Sequence, residues 1–147
     1  MKKDIFAGIQ TFCSEIGEAA CLAFCILKII ERIQPPLVKI NILASLEECI
    51  ELGYISYDWD NPTNPDNFYV KNPAGIMEFF IGGKWEYRHE AADYKPELGE
   101  YVIYRWERKT PNAVLNHFNL GDWDSIINSK TVALGQIAST RILKRMA

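Results

Sequence analysis

Residues 16–33 read IGEAACLAFCILKIIERI, and this stretch decides the fold. Its apolar residues Ala19, Ala20, Leu22, Ala23, Phe24, Ile26, Leu27, Ile29 and Ile30 go most of the way round a helix instead of forming one stripe. A helix that is apolar all round is buried on all sides. Ser14 is a fitting N-cap upstream, Gly17 lies near the start, and Pro35-Pro36 cannot continue the helix. The chain is therefore expected to begin with a central helix. The apolar run 19–30 contains Lys28, follows Glu15 and Glu18, and is shorter than the roughly 20 residues a membrane span needs. It reads as core, neither signal peptide nor span.

Working outward, Ile40, Leu43, Leu46 and Ile50 recur at three- and four-residue spacing, and Gly53 supplies a stop, so a second, amphipathic helix is predicted. Residues 58–67 hold two prolines, three Asp and three Asn, the composition of an irregular loop. Phe68-Tyr69-Val70, the stretch around Trp85-Glu86-Tyr87, and residues 101–106 (YVIYRW) are aromatic and β-branched, which suits a pleated sheet. Gly82-Gly83 marks a turn. The last third predicts strands at 117–120 and 125–127 and a closing strand or short helix at 137–143. Helices first and strands after give an α+β class, with an antiparallel sheet packed on the N-terminal helix.

The 147 residues are about one domain's worth, so residues 1–147 are read as a single domain. With 48% hydrophobic and 24% charged residues, the chain has the composition to fold on its own. Sixteen Lys+Arg against nineteen Asp+Glu leave 16 − 19 = −3, and no basic cluster appears before Arg141, Lys144 and Arg145. A generic nucleic-acid binder needs a basic face, so that class is disfavoured. Cys13, Cys21, Cys25 and Cys49 include no CxxC pair, and Cys21 and Cys25 stack one helical turn apart with nearly parallel Cβ vectors. Reduced, buried thiols in a cytoplasmic protein are the expectation.

Several motifs fail. Counting back from Gly83-Lys84 lands on Glu78 where a P-loop requires glycine. Asp58-Trp59-Asp60 continues into Pro62 and Thr63 where a calcium loop needs a ligand and glycine. Two histidines, His89 and His117, without HExxH spacing argue against a histidine-rich zinc site, and no metal or other cofactor is expected. What remains is His117, opening an apolar run, with Asp124 seven residues later. On neighbouring strands the two can meet, and such a pair orients an imidazole as a general base. The alternative is a satisfied sheet histidine and a turn aspartate.

Ile16 through Leu22, residues 46–55 (LEECIELGYI), residues 69–76 (YVKNPAGI), His117-Phe118, and Trp123-Asp124-Ser125 through Ser129-Lys130-Thr131-Val132 follow one another in an order that resembles the papain-like cysteine peptidases. The likeness is to their small bacterial and phage C39-like form, and in particular to the uncharacterised family called domain of unknown function 261. It implies a papain-like fold whose nucleophile sits at the N-terminus of the central helix, where the helix dipole favours thiolate. Aligned on Gly17, that position holds Glu18. His117 and Asp124 match the base and its orienting residue, and Gln10 matches the upstream glutamine that helps hold the oxyanion.

The resemblance thus implies a catalytically degenerate domain binding a peptide, protein or small-molecule ligand in the former active-site cleft, lined by aromatics such as Trp59, Trp85, Trp106 and Trp123. One alternative is an active thiol hydrolase using Cys13 or Cys21 with His117 and Asp124. In it Cys21 lies one turn deeper than Glu18, about 4.5 Å along the axis, where it also reads as a small core residue. Another alternative is a bacterial or phage interaction module acting on a host protein, or a homo-oligomer subunit. Glu18 itself also reads as a carboxylate that merely favours the helix dipole.

Overall fold

The computed structural model of the protein describes residues 19–34, 41–57 and 68–147. Helix α1, Ala19–Ile33, is the central element, with Ala20, Cys21, Ala23, Phe24, Cys25, Ile26, Leu27, Ile29 and Ile30 all buried, as an all-round apolar helix requires. Helix α2, Ile42–Glu51, is capped by Asn41, whose side chain accepts from the Ala44 N–H at 3.1 Å. Strand β1, Ile55–Ser56, pairs antiparallel with β2, Tyr69–Val70, as a two-stranded ribbon. The expected loop at 58–67 lies outside the described residues.

Helix α3, Pro73–Ile81, was not expected, because the run from Tyr69 reads as extended. Asn72 caps it by accepting from the Gly75 N–H at 2.9 Å, and Pro73 occupies the first turn, where its missing N–H removes nothing. Gly75 makes that cap fit: a Cβ there would lie closer than 3.0 Å to the Asn72 amide and the Tyr54 ring. Gly82 and Gly83 follow at φ 93° and 77°, the left-handed region that turns the chain into the sheet.

Four antiparallel strands complete the fold: β3 Trp85–Ala91, β4 Glu100–Lys109, β5 Val114–Asn119 and β6 Gln136–Arg145, ordered β3-β6-β4-β5. The one element read as either strand or helix, 137–143, is strand. The strand expected at 125–127 is absent; bends and turns occupy those residues, because Asp124 captures the Ile126 N–H that a ladder would have used. A short helix, α4 Lys130–Leu134, capped by Ser129, precedes β6.

Opposed residues of antiparallel pairs share a face. Register therefore brings Trp85, Tyr87, Tyr101, Ile103, Leu143 and Phe118 to one face, which joins the core formed with α1 and α3. The opposite face carries Glu86, Arg88, Glu90 and Glu100. There Arg88 pairs with Glu100 and Glu90, and the Tyr94 hydroxyl donates to Glu100 at 2.7 Å. Antiparallel α+β architecture is thus established, and no helix among the described residues is long and apolar enough to cross a membrane.

The Glu97 backbone N–H, the Tyr94 hydroxyl and the Arg88 guanidinium hold the Glu100 carboxyl down to about 2. A carboxyl lowered on folding contributes stability that is complete above its unfolded value and lost as pH falls toward the folded one. Wild type is expected to lose melting temperature between about pH 4.5 and 2 more steeply than Glu100→Gln. Equal losses for both proteins in parallel acid titrations of thermal melts would refute this anchor.

Candidate active site

β5 forms an edge of the sheet and packs against α1. Beyond it, Leu120 and Trp123 make an isolated antiparallel bridge, the Leu120 N–H donating to the Trp123 carbonyl at 2.8 Å. This tight return sets Asp124 back beside Asn119, and one residue pair further, beside His117. Both Asp124 oxygens are engaged. Oδ1 accepts from His117 Nε2 at 2.7 Å and from the Ile126 N–H at 2.9 Å, while Oδ2 accepts from Asn119 Nδ2 at 3.1 Å. Asn119 Oδ1 in turn accepts from Trp106 Nε1 at 2.8 Å.

His117 is fully buried. A carboxylate can only accept, so Nε2 carries the proton of the bond to Asp124, and in the neutral ring Nδ1 keeps its lone pair. Nδ1 is buried with no hydrogen-bond partner among the described residues. Burial pushes the Asp124 carboxyl up, but the His117, Ile126 and Asn119 hydrogen bonds outweigh it and hold the group below its ordinary value. Asp124 is therefore ionised near neutrality, fixing the imidazole and ready to stabilise its protonated form.

Helix α1 meets the loop that carries Asp124 along one stripe. Arg32 bonds Asp122 at 2.9 Å, Lys28 lies 5.6 Å from the centre of the Trp123 ring, and the Asp124 charge is felt at Cys25. Residues 32, 28, 25 and 21 recur at helical spacing, so Cys21 continues the stripe one turn, about 6 Å, toward the N-terminus. Cys21 is the third residue of α1 and fully buried. Burial first, then Cys21 and Asp124, push the Cys25 thiol well up, so Cys25 holds its proton. Cys49, on α2, is raised to about 11, chiefly by burial.

Of the residues singled out from sequence, His117 and Asp124 are brought together, and Cys21 lies one turn beyond Cys25 on the stripe that meets the loop carrying Asp124. Glu18, Gln10 and Cys13 lie outside the described residues, as does Trp59. Of the tryptophans expected to line a cleft, Trp85 is buried in the core, Trp106 serves Asn119, and Trp123 lies under Lys28. The described residues bound a cavity of about 280 Å³, lined in part by Leu22, Phe68, Phe118, His89 and Arg141, with aromatic residues but no tryptophan among the described lining residues. Asn119 and Trp106 were missed, although Asn119 stands two residues from His117 and so on the same face of the strand. No group of three His, Cys, Asp or Glu side chains among the described residues is arranged to hold a metal.

Comparison with known proteins gives no matching family model, no similar curated protein and no similar solved structure.

Proposed function

We propose that the protein is a papain-like thiol hydrolase acting on an amide or ester of a peptide or small molecule, with Cys21 as nucleophile, His117 as base and Asp124 orienting it. The observation that carries the reading is the buried imidazole tied to Asp124 through Nε2, with Nδ1 left unpartnered among the described residues. An orphaned buried nitrogen is unfavourable unless it has a task. The stripe from Arg32 to Cys21 supports the choice of thiol.

In this reading His117 Nδ1 takes the Cys21 thiol proton, and the thiolate sulfur attacks the substrate carbonyl carbon. The tetrahedral adduct collapses with cleavage of the bond to the leaving nitrogen or oxygen, which receives the proton from Nδ1. Water then gives a proton to Nδ1 as its oxygen attacks the thioester, releasing the acid and restoring the thiol on Cys21. Asp124 stays ionised throughout and offsets the imidazolium charge.

The complete burial of Cys21 favours a second reading, a catalytically degenerate domain in which Glu18 takes the nucleophile's place and the cleft only binds a ligand. Alkylation by iodoacetamide at pH 6 and pH 8, followed by peptide mapping, separates the two. A hydrolase is expected to label Cys21 at least tenfold faster than Cys25 and Cys49 at pH 6, with the advantage abolished in His117→Ala. Uniformly slow labelling of all three would overturn the hydrolase and leave the binding domain.

A further inference from the structure

Two arginines of the sheet are paired with acids. Arg88 bonds Glu100 and Glu90, and Arg105 bonds Glu107 at 3.3 Å and Asn116 at 2.6 Å. Arg141, like Arg108 and Arg145, makes no ion pair with any described acid, but it alone of these three lies in the cavity wall, half-buried. It donates instead to Ser139 Oγ at 2.8 Å and the Thr140 carbonyl at 3.2 Å, and lies 5.6 Å from the centre of the Phe118 ring. Ser139 Oγ also accepts from Arg105 Nε at 2.7 Å, so two guanidiniums converge on one hydroxyl.

The surroundings are cationic as well. Lys71 and His89 line the same cavity, both exposed at its mouth. His89 is lowered by burial and then by Arg141 and Arg105, two cations and no acid. Burial raises Tyr87, beside Arg141, to about 12, so its hydroxyl stays neutral and supplies no counter-charge. A desolvated guanidinium without a carboxylate is a costly arrangement that an incoming anion relieves. Leu22, Phe68 and Phe118 provide the apolar remainder of the wall.

We infer that this cavity binds an oxyanionic group, carboxylate or phosphate, borne on an apolar or aromatic body, with Arg141 as the principal partner and Lys71 closing from the opposite strand pair. Phe118 and His117 are neighbours on β5 and so point to opposite faces of the sheet, which makes the cavity a binding site separate from the His117–Asp124 pair. As a binding site it does not rest on the hydrolase reading.

The test is an amide-shift titration of the ¹⁵N-labelled full chain with N-acetylphenylalanine, its uncharged amide, and phenyl phosphate. At least one anionic probe should saturate and move amides at 69–71 and 139–141, binding about tenfold or more tighter than the uncharged amide, and the better of the two identifies the anion. Arg141→Gln should weaken that probe roughly 10- to 100-fold, and the exposed Lys71→Gln several-fold; should Arg141→Gln fail to fold, Lys71→Gln decides. Equal binding of charged and uncharged probes, shifts elsewhere, or no effect of either substitution would overturn the site. Repeating the titration in Cys21→Ala separates the two ideas. Binding retained while Cys21 proves unreactive leaves the anion site standing and removes the hydrolase.

Discussion

Asp124→Ala is expected to lower stability by about 2–4 kcal/mol, because one carboxylate satisfies three donors, two of them on buried side chains. For a chain of this size that is a fall of roughly 6–12 °C in melting temperature. The loss is asymmetric: His117, fully buried, would be left with both ring nitrogens unpartnered, and the desolvation already incurred would not be recovered. Asp124→Asn keeps one acceptor for His117 but turns an NH₂ toward the Asn119 NH₂, so it should fall between wild type and Asp124→Ala. Under the proposed function, Asp124→Ala also slows turnover or Cys21 alkylation at pH 6 by about 10²- to 10⁴-fold. The pH dependence has a definite sign. The folded carboxyl lies below its unfolded value, so its contribution is present above about pH 4 and disappears as pH falls through the folded value. The stability gap between wild type and Asp124→Ala should therefore narrow in acid, as read from denaturant midpoints at pH 7 and pH 3. A gap of equal size at both pH values would mean that the anchor is not ionic.

The legible parts of the fold were those in which sequence pattern and burial coincide. Residues 16–33 read as an all-round apolar helix, and within the described residues Ala19–Ile33 is one, while Tyr101 to Trp106 read as strand and lie inside β4. Helix α3 was not legible because its apolar run, IMEFFI, has no polar face to reveal a 3.6 period, and its Asn72-Pro73 start resembles a loop until the Gly75 N–H is seen on the Asn72 side chain. The strand expected at 125–127 failed for the opposite reason, since local β propensity in Ile126-Ile127 yields to the Asp124 carboxylate. At the candidate site, the His117–Asp124 pair followed from their order and spacing, because a two-residue turn suffices to bring them together. The pairing of Trp106 with Asn119, and the absence of an acid beside Arg141, depend on register between different strands. No local pattern carries that register.

Gly135→Ala is the other substitution with a large expected effect, and its reason is a close approach of backbones. Gly135 joins α4 to β6 at φ −113°, a conformation open to any residue, so the usual strain of a glycine position does not apply. A Cβ there would instead lie closer than 3.0 Å to the carbonyl oxygens of Glu107 and Thr131, neither of which can swing aside as a side chain can. Relief requires α4 or the end of β4 to move. The next register position holds Trp106 opposite Ile137, beside a bulge, and Trp106 is the donor that fixes Asn119 and through it Asp124. The expected result is a loss of about 2–4 kcal/mol together with a change in near-ultraviolet circular dichroism as the Trp106 indole loses its fixed setting. Gly53→Ala is the control. At φ 81° with nothing within 4 Å of the new Cβ, it incurs only the left-handed backbone penalty of about 1 kcal/mol, and it should leave the aromatic signal unchanged. If the two variants lose equal stability with the same spectrum, the wedge at Gly135 is absorbed locally. If Gly135→Ala alone alters both, the junction of α4 with β6 is part of what holds the His117–Asp124 pair in register.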